Sequence, residues 1–328
     1  MSAALGLVAD VGGTNVRFAL ADLAGAHPLH ADSVRSFEVA DFPSLSAAAS
    51  HYLDGFAAER ARIASGVFAL AGRVDGDAAR ITNHPWTISR TATQQELRLP
   101  RLRLVNDFAA QAMAITLFAP EDLAPIGGLP WQASDAPSRT YAVIGPGTGL
   151  GVGALVVRDG ACFALETEGG HVSFAPGNDE ESRLLAHLAE RFGRVSNERL
   201  VCGTGLVNIH RALGELAGEA PPELKPREVT AGFLAGDPRC RHAVEVFCAV
   251  FGAIAGDLAL TLGAWDGVFL TGGLVPKLMD VLQASSFRRR FEDKGRFAGA
   301  MAAVPTVAVL HPQAGLLGAA AFARQDAP

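Results

Sequence analysis

Positive charge and cysteine are both scarce in this chain, and each shortage argues against a class of protein. Lys and Arg total 28 against 34 Asp and Glu, which gives a net charge of −6 at pH 7. Because nucleic-acid binding needs a basic face, we expect no nucleic-acid partner. The four cysteines, Cys162, Cys202, Cys240 and Cys248, include no C-x-x-C pair. We expect them to be reduced, buried thiols of a cytoplasmic protein.

Long uncharged apolar runs and a targeting segment are also missing. The longest apolar stretch, residues 246–262, contains Asp257 and falls short of the ~20 uncharged residues of a membrane helix. It predicts a buried helix, and the first residues lack the basic region of a signal peptide. With 49% hydrophobic residues the 328-residue chain is not disordered, and its length fits two domains of roughly 150 residues each. We expect no membrane partner.

Two common nucleotide-binding motifs are absent. No G-x-x-x-x-G-K-[ST] segment occurs, which excludes a P-loop protein. The glycine-rich segment 145–151 lacks G-x-G-x-x-G spacing, because Leu150 and Val152 stand where the third glycine is required. It also precedes a predicted strand instead of a helix, so a dinucleotide-binding fold is not expected.

Two turns rich in glycine and threonine are present instead. Each lies between two predicted strands: Asp10-Val11-Gly12-Gly13-Thr14-Asn15 between 5–10 and 16–20, and Gly145-Pro146-Gly147-Thr148-Gly149-Leu150-Gly151 between 141–144 and 152–157. Small residues allow backbone N–H groups to point into one concave space, and threonine hydroxyls add donors, which suits phosphate oxygens. One such turn in each of two lobes would hold a polyphosphate from both sides. Each turn alone is equally compatible with an ordinary hairpin.

The remaining pattern alternates helices with strands and predicts an α/β protein with mixed sheets. Predicted helices cover 44–62, 108–117, 179–192, 203–217, 243–263 and 313–324, and further strands cover 66–71, 102–105, 267–270 and 304–310. Residues 119–138 are rich in Pro, Gly, Ser and Asp, as linkers are. We therefore expect this segment to divide a smaller N-terminal lobe from a larger C-terminal one.

Two acidic positions follow predicted strands. Asp10 ends a buried strand, where a carboxylate needs a cation or hydrogen bonds. The cation would be Mg²⁺ bound to phosphates, contacted largely through water. The hydrogen bonds would come from the backbone of the turn. Asn106-Asp107 follows strand 102–105, and a carboxylate there can take a hydroxyl proton as the oxygen attacks phosphorus. Either residue would also serve as the N-cap of the next helix.

A polar, glycine-containing insert, Glu166-Thr167-Glu168-Gly169-Gly170-His171, separates apolar segments. Acidic oxygens close to an imidazole fit a polyhydroxylated ligand that needs several donors and acceptors. One His with one or two Glu is a poor zinc set, and a lone His is often a structural residue. Glu198, taken alone, is typical of a surface or helix-start position.

A series of short segments, in this order and spacing, resembles the bacterial glucokinase family typified by the enterobacterial enzyme. The matching segments span nearly the whole chain: 10–15, 82–86 (Thr82-Asn83-His84-Pro85-Trp86), 106–108, 147–151, 168–172, 198–199, 205–208, 272–273, 291–297 and 315–318. Each is weak alone, but together they are specific. Residues 202–205, Cys-Gly-Thr-Gly, depart from the commoner Ser-Gly-Pro-Gly-like turn.

The resemblance implies the two-lobed, actin-like (ribonuclease H-like) ATPase fold, with mixed sheets and lobes closing over an interlobe cleft. The lobes would be residues 1–118, completed by a C-terminal helix at 312–328, and residues 119–311. The implied activity is ATP-dependent phosphorylation of D-glucose at its 6-hydroxyl, the first step of glycolysis. ATP and Mg²⁺ are the implied cofactors, and the family is usually a cytoplasmic homodimer.

The resemblance also assigns roles residue by residue. Asp107 matches the catalytic base, and Asn106, Asp107, Glu168, His171 and Glu198 match the sugar contacts. The nucleotide contacts match Ala9, Asp10, Val11, Gly12, Gly13 and Thr14 in the first phosphate loop, Gly147, Thr148 and Gly149 in the second, and Gly272 and Gly273 on the adenosine side. Asp10 would hold Mg²⁺ mainly through phosphates and water.

Two other functions remain possible on the same fold. A non-catalytic sugar sensor would bind glucose without producing ADP, but the presence of Asp107 and both phosphate turns argues against it. An actin-like or chaperone-like ATPase would bind protein partners, whereas Glu168, His171 and Glu198 favour a sugar. The related repressor and kinase group usually carries a cysteine-rich zinc site after its His, and that cysteine pattern is absent after His171.

Overall fold

The computed structural model describes residues 4–81, 84 and 86–327, and the chain divides into two compact units. The first unit comprises Met1–Ala119, Cys162–Glu166 and His311–Pro328. The second unit comprises Pro120–Ala161 and Thr167–Leu310. The first unit is therefore assembled from three separate stretches of the sequence.

The described residues form strands and helices in alternation, as the sequence predicts for an α/β protein. The strands are β1 Leu5–Val11, β2 Asn15–Asp22, β3 Arg35–Glu38, β4 Ile63–Leu70, β5 Val74–Asp75, β6 Ala78–Arg80, β7 Thr87–Ser89, β8 Leu102–Asn106, β9 Leu123–Pro125, β10 Ser138–Pro146, β11 Leu150–Arg158, β12 Ala161–Thr167, β13 Gly267–Leu270 and β14 Thr306–Val309. The α-helices are α1 Leu45–Asp54, α2 Ala57–Arg60, α3 Arg90–Leu97, α4 Asp107–Ala114, α5 Asp179–Phe192, α6 Gly203–Leu216, α7 Pro226–Ala235, α8 Pro238–Leu262, α9 Met279–Ala284, α10 Phe287–Glu292, α11 Ala298–Ala302 and α12 Ala314–Gln325.

The main sheet of the first unit is mixed, with the strand order β3-β2-β1-β4-β8. β1 pairs antiparallel with β2 and parallel with β4, and β4 pairs parallel with β8. The register places Val11 opposite Leu70, and Leu70 opposite Asn106. The carboxyl ends of β1 and β8 therefore lie at one edge of this sheet, which is where polar groups of α/β proteins gather.

The main sheet of the second unit contains the neighbours β11-β10-β13-β14-β9 and is also mixed. β10 pairs antiparallel with β11 and parallel with β13, with Ile144 opposite Leu270. The turns that follow β10 and β13 therefore lie at the same edge. The segment 119–138 was expected to be a linker, but it contributes β9. This strand pairs antiparallel with β14 and forms one edge of the sheet.

The predicted single helix over 44–62 is wrong in one respect. Ser44 caps its start by accepting a hydrogen bond from the backbone N–H of Ala47, but α1 ends at Asp54. Phe56 then has a non-helical backbone (φ −131°, ψ 42°) and precedes the short helix α2. A glycine at position 55 weakens the helix at this point, because glycine loses the most conformational freedom on becoming helical.

Each unit has its own apolar core. In the first, Phe18 stacks on Tyr52 at 5.4 Å and meets Phe68 edge-on at 6.1 Å between ring centres. In the second, α8 is the central helix, and Phe251 packs edge-on against Phe287 at 5.2 Å. α8 is long and apolar enough to span a membrane, but 78% of its most apolar window is buried inside the protein. The predicted buried helix is thus confirmed.

The expectation of four buried thiols is correct for three cysteines. Cys202, Cys240 and Cys248 are buried, and all four thiols are free of disulfides within the described chain. Cys162 is only partly buried, because it lies on β12, whose side chains alternate between exposed and partly exposed positions.

Candidate functional site

The carboxyl end of β1 carries a carboxylate in a mostly apolar setting. Asp10 Oδ2 accepts a hydrogen bond from Arg17 Nη1 at 3.4 Å. The start of α12 packs directly on this carboxylate, since a Cβ added to Gly315 would lie 2.7 Å from Asp10 Cγ. Burial raises the pKa of Asp10, and Arg17 acts in the opposite direction. The first turn of α12 therefore lies beside this carboxylate.

The residues around Asp10 differ in what they can offer a ligand. Ala9 and Val11 are fully buried, so their side chains belong to the core. Gly12 donates its N–H to the carbonyl oxygen of Asn15 at 2.9 Å, which closes the turn. Gly13 is partly exposed and Thr14 is exposed. The Thr14 hydroxyl and the turn backbone are therefore the accessible groups.

Asn106 and Asp107 occupy the junction between β8 and α4. Asn106 Oδ1 accepts hydrogen bonds from the N–H groups of Phe108 and Ala109 at 2.8 and 3.1 Å, and Nδ2 donates to the carbonyl of Gly72 at 3.1 Å. Asn106 is therefore the N-cap of α4, one of the roles that its sequence position predicted. Its amide nitrogen has a second N–H to offer.

Asp107 is the first residue of α4 and is partly exposed. Its Oδ1 accepts a hydrogen bond from the N–H of Phe108 at 3.0 Å. The strand register places this residue at the same sheet edge as the Asp10 turn. Two carboxylates and the exposed Thr14 thus share one edge of the first unit.

The second glycine-threonine turn lies at the corresponding edge of the second unit's sheet. Gly147 donates its N–H to the carbonyl oxygen of Gly149 at 2.8 Å, and Thr148 is exposed. Gly272 has φ +85°, and a Cβ there would lie 2.6 Å from the carbonyl oxygen of Pro146, so this position requires glycine. The space where a Cβ of Gly273 would project is open.

Glu198 is bound to this turn, which the sequence does not predict. Glu198 Oε2 accepts a hydrogen bond from the N–H of Leu150 at 2.8 Å. A Cβ added to Gly149 would meet the same oxygen, so a larger residue there would displace the Glu198 carboxylate. Cys202 is the N-cap of α6, and its sulfur accepts a hydrogen bond from the N–H of Gly205. Its thiol donates a hydrogen bond to the carbonyl oxygen of Glu198 at 3.0 Å. The residue that replaces the commoner serine therefore supports both the helix start and Glu198.

Glu168 and His171 lie on a short 3-10 turn after β12, and both side chains are exposed. This turn packs against the second glycine-threonine turn, because a Cβ on Gly170 would collide with the carbonyl oxygen of Leu150. Arg194 Nη2 donates a hydrogen bond to the carbonyl oxygen of His171 at 2.6 Å. The backbone N–H of Asn197 donates one to the carbonyl oxygen of Val172 at 2.9 Å.

The described structure therefore collects the predicted site residues in two groups. Asp10, Thr14, Asn106 and Asp107 share an edge of the first unit. The second group comprises Glu168, His171, Glu198, Gly147, Thr148, Gly149, Gly272 and Gly273, all in the second unit. Of the matching segment 82–86, Thr82, Asn83 and Pro85 lie outside the described residues.

Glu166 and Glu168 lie in one polar insert of the sequence, but they belong to different units of the structure. Glu166 lies in the first unit, where its Oε1 accepts a hydrogen bond from the backbone N–H of Asn106 at 3.3 Å. Glu168 lies in the second unit. Glu166 and the carbonyl of Gly72 thus support Asn106, and the sequence does not predict this because no local pattern links them to position 106.

Sequence comparisons with known proteins identify one family. The sequence model of the family Glucokinase matches residues 7–326. A glucokinase of Stenotrophomonas maltophilia (strain K279a) is 63% identical over 326 residues, covering 98% of this chain and 96% of that protein. The family resemblance drawn from the sequence is confirmed.

Solved structures give the same result for the fold. The structure of a glucokinase from an Antarctic psychrotroph has a TM-score of 0.88 and 32% identity, covering 98% of this chain and 99% of that one. The glucokinase of Balamuthia mandrillaris, solved in complex with glucose, has a TM-score of 0.78 at 20% identity, covering 99% and 94%. The second likeness concerns the fold alone.

Proposed function

This chain belongs to the glucokinase family, and we propose that its ATP-dependent phosphorylation of D-glucose uses Asp107 as the general base. The observation that supports this role is the position of Asp107 at the start of α4, on the sheet edge that also carries the Asp10 turn. The hydrogen bond from the N–H of Phe108 holds one carboxylate oxygen in place. A helix N-terminus also favours the ionised, proton-accepting form of the group.

In the proposed reaction, the 6-hydroxyl oxygen of glucose forms a bond to the γ-phosphorus of ATP. The bond from that phosphorus to the bridging oxygen of ADP breaks, and ADP leaves. The hydroxyl proton passes to the carboxylate of Asp107. Phosphoryl transfer requires little covalent chemistry from the protein, so positioning and charge stabilisation account for most of the catalysis.

We propose that the sugar is held by Asn106 and Asp107 of the first unit and by Glu168, His171 and Glu198 of the second. The two units would then correspond to the lobes inferred from the sequence, 1–118 with 312–328 and 119–311, on either side of a cleft, except that residues 162–166 belong to the first unit. Closure around the sugar would exclude water, which competes as phosphoryl acceptor. The exposed carboxylate and imidazole of the 3-10 turn support a sugar contact, because both can bond hydroxyl groups.

The nucleotide would be held by the two glycine-threonine turns, with Gly272 and Gly273 on the adenosine side. Mg²⁺ would be held by Asp10, mainly through water and the phosphates. The residues fit this ion, because Mg²⁺ prefers carboxylate oxygens and retains much of its water. When bound, it would neutralise charge on the phosphate oxygens.

One assay separates this function from the two alternatives. We expect ADP release that depends on glucose, measured with ATP in the presence and absence of the sugar. A sugar sensor would bind glucose without producing ADP, and an actin-like or chaperone-like ATPase would produce ADP without glucose. ADP release at the same rate with and without glucose would contradict the proposal.

We also propose that the protein is a cytoplasmic homodimer, as its family resemblance implies. Exposed large apolar side chains support a second copy of the chain as the partner, because association would bury them. Leu234, for example, is 81% exposed. Size-exclusion chromatography with light-scattering detection should give a mass of twice 34.1 kDa. A mass of 34.1 kDa at micromolar concentration would contradict the dimer.

Replacing Glu198 with alanine should weaken both sugar and nucleotide use. The substitution removes a proposed sugar contact and leaves the N–H of Leu150 without its acceptor. We expect KM for glucose and KM for ATP each to rise about tenfold, equivalent to roughly 1.4 kcal/mol. Steady-state kinetics with each substrate varied in turn measure both constants.

Glu198→Gln serves as the informative comparison. Its amide oxygen can still accept the N–H of Leu150, so KM for ATP should stay within about twofold while KM for glucose rises. Glu190→Ala, an exposed position on α5, should change neither constant. If Glu198→Ala leaves both KM values unchanged, Glu198 neither contacts the sugar nor supports the turn.

A further inference from the structure

Three potential metal ligands of different types meet in the second unit, where α7 turns into α8. His210 lies on α6, Asp237 is the N-cap of α8, and Cys240 lies in the first turn of α8. One ligand atom from each residue lies within 4.8 Å of the other two. Neither the sugar nor the nucleotide roles proposed above involve these residues.

His210 provides an observation that points to a ligand. The residue is 3% exposed, and its Nδ1 atom has no hydrogen-bond partner among the described residues. Buried polar atoms almost always have partners, so such an atom requires an explanation. Burial lowers the pKa of His210, and the nearby Arg239 lowers it further. A neutral imidazole is the form that binds metals.

The other two side chains are already oriented by the helix start. Asp237 Oδ1 accepts the N–H of Cys240 at 2.7 Å, which fixes the carboxylate beside the thiol. Burial raises the pKa of the Cys240 thiol to about 11, and its hydrogen bond to Asp237 acts in the same direction. α7 passes close to the sulfur, since a Cβ on Gly232 would lie 2.5 Å from Cys240 Sγ. Glycine at position 232 therefore leaves the space that the sulfur occupies.

The surroundings leave room for an ion and tolerate its charge. A cavity of about 400 Å³ is lined by the three residues together with Glu219 and Arg239. The guanidinium of Arg239 is paired with the carboxylate of Glu219, so its positive charge is balanced. A cavity of this size can admit an ion and a water molecule, because one water needs a volume of about 30 Å³.

We propose that His210, Asp237 and Cys240 bind a zinc ion that joins α6 to the start of α8. Imidazole nitrogen, thiolate sulfur and carboxylate oxygen are the ligands that zinc takes in proteins, and a water would complete the tetrahedron. A thiolate and an imidazole favour zinc over Mg²⁺ or Ca²⁺. Small side-chain rotations would bring the ligand atoms to the roughly 3.3–3.8 Å separations of such a site.

Binding changes one covalent bond. The S–H bond of Cys240 breaks, its proton passes to solvent, and the sulfur lone pair forms the bond to zinc. His210 contributes the lone pair of Nδ1, and Asp237 contributes a carboxylate oxygen. One proton is therefore released for each zinc bound, as is general when a thiol becomes a metal ligand.

The test is zinc titration of the tag-free, full-length protein after removal of metal by a chelator. Calorimetry should give one zinc per chain and about one proton released, obtained by repeating the titration in buffers of different ionisation enthalpy. Saturating zinc should raise Tm by about 3–8 °C. With Co²⁺ in place of zinc, a thiolate-to-metal charge-transfer band should appear in the ultraviolet.

Two variants test the ligands separately. Cys240→Ala should abolish the charge-transfer band and lower zinc affinity at least 100-fold. Asp237→Asn keeps a good N-cap side chain, so it should preserve Tm without metal while lowering zinc affinity about 10–100-fold. Cys162→Ser, which alters a partly exposed thiol of the first unit, is the matched control and should bind zinc as the unaltered protein does.

Equal zinc affinity in the unaltered protein and in Cys240→Ala would overturn the proposal. That result would indicate adventitious binding at exposed pairs such as His242 and Glu180. A Co²⁺ complex without a thiolate band would also overturn it. Because Asp237→Asn is expected to fold normally, loss of binding in that variant cannot be attributed to unfolding.

Discussion

Asp107→Ala should lower kcat by about 10²–10⁴-fold, the range expected when a general base is removed. Without the carboxylate, the 6-hydroxyl of glucose has no group at this position to take its proton as the oxygen attacks phosphorus. Sugar binding should be largely retained, because Asn106 and the residues of the second unit would still contact glucose. Steady-state kinetics give kcat, and calorimetry with glucose gives the dissociation constant.

Asp107→Asn is the sharper variant of this experiment. Asparagine has nearly the same shape and its amide oxygen can still accept the N–H of Phe108, but it is not basic. Its kcat should fall as far as that of the alanine variant, while the free energy of unfolding stays close to the original value. If either variant retains the original kcat, Asp107 is not the general base.

Arg290→Met should destabilise the second unit by about 3–5 kcal/mol, because it leaves a buried charge without its partner. The Arg290 guanidinium binds the Glu181 carboxylate through two hydrogen bonds, of 2.7 and 3.1 Å. Only 9% of the Arg290 side chain and 2% of the Glu181 side chain are exposed. Glu181 also accepts hydrogen bonds from Gly177 and Asn178, which hold the carboxylate in place after the arginine is gone. Unfolding in denaturant measures the effect.

Two comparisons separate the buried charge from the loss of packing. The double variant Glu181→Met with Arg290→Met removes both charges and should recover much of the lost stability, since paired removal is often nearly neutral. Arg73→Met breaks an ion pair with Asp75 in which both side chains are 78% exposed. That change should alter stability by less than about 1 kcal/mol. An equally small loss in Arg290→Met would show that burial of this pair has little energetic weight.

Local patterns in the sequence predict much of the fold. The predicted helix 179–192 and strand 267–270 match α5 and β13 at both ends. Apolar runs and glycine turns predict the strand ends at which Asp10, Asp107 and the second glycine-threonine turn lie, because these signals are contiguous in the chain. The family is confirmed as well, whereas the roles of the individual site residues stay predictions.

Features that depend on distant parts of the chain were not predicted. The hydrogen bond from Leu150 to Glu198 joins residues 48 positions apart, and no local pattern announces it. Glu166 and Glu168 are two residues apart yet belong to different units, since the chain passes from one unit to the other between them. His210 and Cys240 meet only because α6 packs against α8. Cysteine spacing along the chain gives no sign of this contact.

The last helix of the chain has a consequence for how the protein is made. α12 belongs to the first unit, where a Cβ on Gly318 would collide with the carbonyl oxygen of Ala110 and one on Gly315 with Asp10. A ribosome therefore synthesises the whole second unit before it supplies the segment that covers α4 and β1. Until then the apolar faces of α4 and β1 lack this cover, which makes the nascent chain prone to aggregation. Stop codons placed just before this helix should consequently yield insoluble protein rather than a shortened enzyme.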